Sequence, residues 1–372
     1  MNILQSAEKF SIEKKLTGRQ VFLLIFLSFI FAALTAAYIF INAFISSIRP
    51  PEIPANPLIS VAPNPYADLS DPAFILPEGH EADLLIGGGM FAPKGFTSEY
   101  RKDLFYTFLI LGLDEGVNVD TIMVASYDGL NKEANIISIP RDSLVNVSRN
   151  IRKINAAYPA GTLRGGGRTG GIAQMQREVM TVIGFVPDFY ILVDLDAFIK
   201  IIDAVGYIEI DVPFHMRYDD PYQGLHIDIP AGRQLLNGEN ALNFARYRRG
   251  NRGFPTITDY RRIEHQQMVI RAILNNLLQP ANILRIPELI TIFNENVHSN
   301  LSTGNIIWLA NQLNEIGGTE ALSTYTLPTS GSLRLTHWYE ILDGPAIVEL
   351  VNRTINPYTK DITLADLDII SY

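Results

Sequence analysis

The chain has 372 residues, of which 47% are hydrophobic, so it can fill the core of one large domain or of two ordinary ones. Its formal net charge of -9 is opposite in sign to that of proteins that coat nucleic acid, and we expect no nucleic-acid partner. The absence of cysteine excludes disulfides, thiolate metal sites and cysteine nucleophiles.

An uncharged apolar segment runs from Val21 to Ile48. It is long enough to cross about 30 Å of hydrocarbon as a helix, and longer than the apolar core of a cleavable signal peptide, which is the alternative. Its N-terminal flank carries Lys9, Lys14, Lys15 and Arg19, whereas Arg49 alone lies close to its other end. The sequence therefore predicts a cytoplasmic segment over residues 1–20, a single membrane helix over 21–48 and a domain on the opposite side of the membrane.

A proline-rich segment follows the predicted membrane helix. Residues 50–94 contain nine of the 21 prolines and show little helical or strand periodicity. Such a composition is typical of an extended spacer. We therefore expect a tether and domain lead-in over residues 49–103, and one folded domain over 104–372.

The remainder of the chain alternates between strand and helix patterns. Short apolar runs rich in β-branched and aromatic residues predict strands over 104–114, 121–129, 134–142, 189–195, 207–212 and 323–327. Helical periodicity is found over 171–183, 196–205, 238–247, 259–278, 287–296, 303–315 and 337–352. This alternation predicts an α/β fold with a central mixed β-sheet flanked by helices on both faces.

The predicted helix 259–278 places polar groups where apolar packing is expected. Its apolar residues Ile263, Ile270, Ile273, Leu274 and Leu277 fall on one face, and Asp259, Arg262 and Gln266 lie on that face in the first two turns. One explanation is that Asp259 caps the helix and Arg262 pairs with a core carboxylate. The alternative is a polar site lined by the start of this helix.

Arginines just upstream of this helix are the clearest candidates for a cationic binding site in this acidic chain. Arg246, Arg248, Arg249 and Arg252 lie in one short segment, and Arg141 and Asp142 end a predicted strand. A guanidinium suits phosphate because it donates two parallel hydrogen bonds. For Arg249 and Arg252 we favour a solvated loop. For Arg141 and Arg248, which adjoin predicted strand and helix ends, structural and ligand-binding roles are equally plausible.

Asp114 and Asp120 lie on either side of a short connection between the first two predicted strands. A hairpin at this point would bring their carboxylates together, and Mg²⁺ is typically held by one or two carboxylates plus substrate phosphates. Ordinary turn chemistry is the competing explanation, because Asp favours strand ends and turns.

Six motifs in order resemble the LytR-CpsA-Psr family of cell-wall glycopolymer ligases. They are GLD from Gly112, DTIMVAS from Asp120, SIPRD from Ser138, KINAAY from Lys153, LNGENALNFARYR from Leu236 and DYRRIEHQQ from Asp259. The similarity runs from about Leu104 to about Asn276. The family's usual arrangement, with a short cytoplasmic segment, one membrane span and an external domain, also matches the expected organisation of this chain.

The resemblance implies an enzyme in the bacterial cell membrane, with its catalytic domain extracellular. It would move a glycopolymer, such as teichoic acid or capsule, from a polyprenyl-pyrophosphate carrier to a peptidoglycan hydroxyl. By matching motif positions, Asp114 and Asp120 would bind Mg²⁺ or a similar divalent cation, and Arg141, Arg248 and Arg262 would be catalytic residues that clamp the pyrophosphate. Further pyrophosphate-site candidates are Asp259, Gln266, Lys153 and Arg246. A hydrolase of the same lipid, or a non-catalytic lipid-binding regulator, are the alternatives.

Two departures from the family pattern concern the site. The family usually has a longer segment between the two aspartates and an Arg-Ser pair before the second, where this chain has Asn118 and Val119. One cationic phosphate contact is therefore missing. We hypothesise that Arg252, in the unusual loop before Asp259, replaces it.

Overall fold

The computed structural model describes residues 35, 48–53, 100–114, 118–222, 224–277, 279, 285–315, 321–334 and 337–370. The chain divides into two compact units, Met1–Arg49 and Pro50–Tyr372. Apart from residues 35 and 48, the predicted membrane helix 21–48 lies outside the described residues, as do segment 1–20 and most of the tether. Within the described ranges, no helix has the length and apolar character needed to span a bilayer.

A six-stranded mixed sheet forms the centre of the second unit. Its strands are β1 (Phe105–Leu113), β2 (Val119–Asp128), β3 (Glu133–Ser138), β4 (Phe189–Val193), β9 (His298–Ser299) and β10 (Leu322–Thr326), in the order β10-β3-β2-β1-β4-β9. The pairs β1–β4 and β3–β10 are parallel, and β1–β2, β2–β3 and β4–β9 are antiparallel. Consequently β1, β3, β4 and β10 all end at the same edge of the sheet.

Helices cover both faces of this sheet, as the sequence predicted. The α-helices of the described residues are, in chain order, α1 (Ala157–Gly161), α2 (Gly167–Ile183), α3 (Leu195–Val205), α4 (Gly238–Arg246), α5 (Asp259–Leu277), α6 (Ile286–Asn296), α7 (Thr303–Glu315) and α8 (Gly344–Thr354). Residues of α2 and α8, such as Val179 and Val351, pack with Leu109 and Leu111 on one face. On the opposite face, Trp308 of α7 contacts Tyr106 and Tyr127 edge-on.

A second apolar cluster lies beside the sheet. It is built by α3, α4 and α5 together with two antiparallel ribbons, β5 (Ile208–Val212) with β8 (Gly232–Leu236) and β6 (Met216–Asp220) with β7 (Leu225–Ile229). The predicted strand 207–212 therefore forms, but it joins a ribbon and not the central sheet. Its alternating buried and exposed residues fit a ribbon with one solvated face.

Helix α5 lies between the sheet and this second cluster. Ile270 and Leu274 pack with Met123 and Ile136 of the sheet, whereas residues such as Ile273 belong to the second cluster. The predicted single apolar face is thus divided between two neighbours, because the helix is covered on both sides.

The predicted helix over 337–352 is wrong in its first part. Residues Trp338–Leu342 form strand β12, which pairs antiparallel with β11 (Thr329–Arg334). Aromatic and β-branched residues in this segment suit a strand, and the helix begins only after Asp343, whose Oδ1 accepts a hydrogen bond from the Ala346 N–H at 3.2 Å. Proline at the start of α8 reinforces this boundary.

Candidate functional site

The sequence-predicted site residues meet at the edge of the sheet where its parallel strands end. Asp114 directly follows β1, and Arg141 follows β3 by a few residues. Strand β2 runs in the opposite direction and begins at this edge, so Asp120 lies there too. The first turn of α5, with Asp259 and Arg262, reaches the same edge and contacts these residues. Ligands commonly bind beyond the carboxyl ends of strands in α/β sheets.

A β-bulge sets the position of Asp120. Pairing between β1 and β2 steps from Gly112 with Thr121 to Leu113 with Val119, so Asp120 is an extra residue opposite the continuous strand. A bulge turns a side chain away from the regular alternation and is common beside active sites. Here the carboxylate of Asp120 contacts two arginines from other elements.

Two aspartates and two arginines alternate in a closed cycle, which we call the charge ring: Asp120, Arg141, Asp259 and Arg262. Asp120 Oδ1 lies 2.6 Å from Arg141 Nη1, and its Oδ2 lies 3.5 Å from Arg262 Nη1. Asp259 Oδ1 lies 2.9 Å from Arg262 Nη2 and 3.6 Å from Arg141 Nε. The ring joins β2, the segment after β3 and the start of α5, so each arginine is held between two carboxylates.

The pKa values of the two ring arginines are shifted in opposite directions. Burial lowers the pKa of Arg262, and the attraction of Asp259 does not fully offset this effect. Burial alone would also lower the pKa of Arg141, but Asp120 and Asp259 outweigh it and raise that pKa. Because arginine ionises far above neutral pH, both groups remain cations under physiological conditions.

Hydrogen bonding in the ring is incomplete among the described residues. Both carboxylate oxygens of Asp259, Nε of Arg141 and Nε of Arg262 are buried and have no aligned hydrogen-bond partner there. Buried polar atoms of this kind are costly and require a partner. The described residues therefore leave four hydrogen-bonding atoms of the ring unsatisfied.

Arg248 supplies a third guanidinium beside the ring. It lines a cavity of about 470 Å³ together with Asp259. Unlike the ring arginines, its guanidinium has no hydrogen bond or ion pair with any part of the chain that the structure describes. The two arginines and two aspartates of the ring balance each other, so the charge of Arg248 has no counter-charge within the ring and can attract an anion.

The other predicted residues lie farther from the ring. Gln266 is buried one turn beyond Arg262 on α5. Nζ of Lys153 lies 2.8 Å from Oδ1 of Asp142, which lines the same cavity as Arg248. Arg246 donates from Nε to Oδ1 of Asn243 at 3.2 Å within α4. Arg252 is exposed in the loop between α4 and α5.

The residues expected to bind a divalent cation fit that role chemically. Asp120 keeps 34% of its side chain exposed, and its carboxylate has lone pairs beyond those that face the arginines. Asp114 lies at the same end of the β1–β2 pair, where its Oδ1 accepts the Asn118 N–H at 3.2 Å. Two carboxylates completed by substrate phosphate match the usual coordination of Mg²⁺. In the described ranges there is no cluster of three or more metal-ligating side chains.

Of the ten residues that line the cavity of Arg248, sequence reasoning predicted only Arg248 and Asp259. Those that it missed include Asp142, Tyr260, Trp338 and Glu340. Tyr260 follows Asp259 directly, and Asp142 follows Arg141, so both were adjacent to predicted residues. Trp338 and Glu340 were assigned to a helix, which concealed that they point from a strand of the β11–β12 hairpin. In the strand Trp338 is exposed, Tyr339 is buried and Glu340 is half-buried.

Comparison with known proteins identifies the family. The sequence model of the family described as LytR_cpsA_psr matches residues 93–356 of this chain. This chain belongs to the LytR-CpsA-Psr family. The resemblance in six motifs is thereby confirmed.

Individual relatives agree with this assignment. The polyisoprenyl-teichoic acid–peptidoglycan teichoic acid transferase TagV of Bacillus subtilis is 31% identical over 188 residues, which span 49% of this chain and 44% of that protein. Regulatory protein MsrR of Staphylococcus aureus is 25% identical over 242 residues, 64% of this chain and 68% of MsrR. The crystal structure of B. subtilis TagV superposes with a TM-score of 0.57 at 26% identity, covering 69% of this chain and 98% of that structure.

Proposed function

We propose that this chain is a phosphotransferase that moves a glycopolymer from a polyprenyl-pyrophosphate carrier to a hydroxyl of peptidoglycan. The observation that carries the proposal is Arg248, a guanidinium without a partner among the described residues, beside a charge ring that contains two more arginines. A pyrophosphate has the negative charge and the oxygen acceptors that such a cluster requires. Membership in the family and the name of the TagV relative support the nature of the substrates.

The proposed reaction is a displacement at phosphorus. The acceptor hydroxyl forms a P–O bond to the phosphate that carries the glycan, and the bond from that phosphorus to the bridging oxygen breaks. Polyprenyl phosphate leaves with the bridging oxygen, and a carboxylate at this edge takes the hydroxyl proton. Phosphoryl transfer of this kind depends mainly on positioning and charge neutralisation.

The residues of the charge ring and those around it divide these tasks. Arg141, Arg248 and Arg262 neutralise and orient the pyrophosphate, and Asp259 holds Arg262 in place from the preceding turn. Gln266, Lys153 and Arg246 are secondary candidates around the same edge. Asp114 and Asp120 would hold Mg²⁺ or a similar cation, which when bound supplies charge neutralisation at phosphate oxygens.

We also propose that the protein acts at the outer surface of a bacterial cell membrane, anchored by the helix over 21–48. Donor and enzyme would then be confined to one surface, because the polyprenyl chain is itself embedded in the membrane. Residues 49–103 would act as the spacer between the anchor and the catalytic domain.

Product analysis tests the proposal. The full-length protein in detergent micelles is incubated with Mg²⁺, a polyprenyl-pyrophosphate-linked glycan and peptidoglycan oligomers. A transferase yields a glycan–peptidoglycan conjugate and polyprenyl phosphate in equal amounts. Free glycan phosphate that forms at the same rate without peptidoglycan would instead identify a hydrolase.

A regulatory role is the second candidate, since the relative MsrR is named a regulatory protein. A lipid-binding regulator would retain the lipid-linked glycan and yield neither product. It would also keep its cellular function after replacement of Asp114 and Asp120 by asparagine.

A further inference from the structure

The cavity of Arg248 extends away from the charge ring towards the β11–β12 hairpin. Besides Arg248 and Asp259 it is lined by residues of the segment after β3, of the loop before α5, of the first turn of α5 and of the hairpin: Asp142, Thr258, Tyr260, Thr329, Gly331, Ser332, Trp338 and Glu340. Its volume of about 470 Å³ falls in the range of about 300–1,000 Å³ typical of small-molecule sites. Of the residues proposed to bind the pyrophosphate, only Arg248 and Asp259 line this cavity, and they lie at one end of it.

Backbone pairing fixes the hairpin relative to the charge ring. The N–H of Glu340 donates to the carbonyl of Asp142 at 2.9 Å, and the carbonyl of Glu340 accepts from Leu144 at 2.8 Å. Asp142 directly follows the ring residue Arg141. The backbone of strand β12 is therefore held next to the segment that carries Arg141.

Two aromatic rings and one carboxylate form the far part of the lining. Oε1 of Glu340 lies 3.3 Å from Nε1 of Trp338, and its Oε2 lies 3.5 Å from the hydroxyl of Tyr260. The same hydroxyl lies 2.5 Å from Oγ1 of Thr329. Trp338 keeps 49% and Tyr260 keeps 36% of its surface exposed. These contacts orient Glu340 between two amphipathic rings that are still accessible from solvent.

Charge decides which ligand suits this part of the cavity. Asp142 is paired with Lys153 and Asp259 with Arg262, whereas the partners of Glu340 are neutral donors. The remaining negative charge of Glu340 repels a second phosphate but accepts hydroxyl or amide N–H groups. A sugar ring presents apolar C–H faces and polar edges, which match aromatic rings beside a fixed carboxylate.

We propose that the cleft formed by Tyr260, Trp338 and Glu340 binds the sugar of the acceptor and positions its hydroxyl towards the phosphate held by Arg248. This inference rests on the proposed transfer function and names the subsite of its second substrate. Trp338 and Tyr260 pack against the sugar, and Glu340 accepts hydrogen bonds from it. The donor's phosphate and the acceptor's sugar then meet at Arg248 and Asp259.

Tryptophan fluorescence provides a direct test of binding. The chain has two tryptophans, and Trp308 lies in an aromatic cluster with Tyr106 and Tyr127, none of which lines the cavity. Full-length protein with Trp308→Phe therefore reports on Trp338 alone. Titration with an uncrosslinked peptidoglycan tetrasaccharide should change its emission saturably, whereas maltotetraose should not. An absent response, or an equal response to both sugars, would overturn the proposal.

Steady-state kinetics assign the subsite to one substrate. Trp338→Ala and Glu340→Gln should each raise the KM for the peptidoglycan acceptor by about three- to tenfold, the size expected for one aromatic contact or one hydrogen bond. The KM for the lipid donor should stay unchanged. Tyr222→Ala, which removes a fully exposed aromatic ring from the β6–β7 ribbon, is the matched control. A rise in the donor KM instead would assign the cleft to the donor glycan and contradict the proposal.

The two experiments separate this inference from the proposed function. If Trp338 responds to the tetrasaccharide but no conjugate forms with any donor, the transfer function fails and the saccharide site stands. If conjugate forms while Trp338→Ala and Glu340→Gln leave both KM values unchanged, the transfer function stands and the subsite is refuted.

Discussion

Asp259 and Arg262 form a buried ion pair across one turn of α5, with Oδ1 and Nη2 2.9 Å apart. Two residues further along the helix, a pair with the same spacing but the opposite order of charges lies on the surface, where Arg261 Nη1 lies 3.0 Å from Oε2 of Glu264. One helix thus presents a buried and an exposed pair with identical spacing. Their comparison separates the effect of burial from that of sequence distance.

Asp259→Ala should lower the free energy of unfolding by about 3 kcal/mol, because it leaves Arg262 buried with one carboxylate partner fewer. Glu264→Ala should change it by less than about 0.5 kcal/mol, because exposed pairs contribute little. Urea denaturation of both variants measures the difference. Equal losses in the two variants would contradict the description of Asp259 as a buried structural partner of Arg262.

Arg248→Ala should lower the turnover of the pyrophosphate lipid about 100-fold while leaving the free energy of unfolding nearly unchanged, since it removes a charged donor to the transition state. The stability is expected to persist because this guanidinium pairs with none of the residues described. Arg249→Ala, at the next position of the same loop, is the control and should retain activity. A large loss of stability in Arg248→Ala would mean that the residue is structural.

Arg252→Ala tests the hypothesis that Arg252 compensates for the missing arginine before Asp120. We expect a loss of pyrophosphate-lipid turnover smaller than that of Arg248→Ala, because Arg252 is not among the residues that line the cavity of Arg248. If Arg252→Ala leaves turnover unchanged while Arg248→Ala abolishes it, the hypothesis is wrong.

Removal of divalent cations by a chelator should abolish transfer, and added Mg²⁺ should restore it. Asp114→Asn should raise the Mg²⁺ concentration needed for half-maximal activity, because an amide is a weaker ligand for a hard cation than a carboxylate. Asp211→Asn, an exposed position of β5, is the control. If Asp114→Asn needs the same Mg²⁺ concentration for half-maximal activity as the natural protein, Asp114 is not a ligand of the cation.

His265 should make the stability of the protein depend on pH. Burial lowers the pKa of His265 from its ordinary 6.5 to about 4, and its ring stacks on Phe244 with centroids 4.6 Å apart. Between these two values the unfolded chain binds more protons than the folded one. The free energy of unfolding should therefore be highest above pH 6.5 and fall as the pH is lowered to 4, by up to about 3 kcal/mol from this residue.

His265→Gln isolates this contribution, since glutamine keeps a hydrogen-bond donor but does not titrate. The variant should lose less stability than the natural protein between pH 6.5 and 4, as measured by urea denaturation at each pH. His337→Gln, at an exposed position, should retain the natural pH dependence. If the free energy of unfolding falls equally with pH in the natural protein and in His265→Gln, the histidine is not held neutral in the folded state.

Local patterns in the sequence identified the charge ring but not all of its surroundings. Helical periodicity located Arg262 and Asp259 on the inner face of α5, and strand ends located Arg141 and Asp120. The bulge at Asp120 depends on strand register, which no local pattern specifies. Strand β12 was missed because its partner β11, and not its own helical periodicity, decides the conformation of Trp338–Leu342.

The position of the broken bond tests the central claim most directly. Two preparations of the lipid donor carry ³²P, one in the phosphate next to the glycan and the other in the phosphate next to the polyprenyl chain. We predict that the first label appears in peptidoglycan and the second in polyprenyl phosphate, and that Arg248→Ala slows both in parallel. Appearance of neither label in peptidoglycan, with the first label released as soluble glycan phosphate, would contradict a phosphotransferase that joins the glycopolymer to the wall.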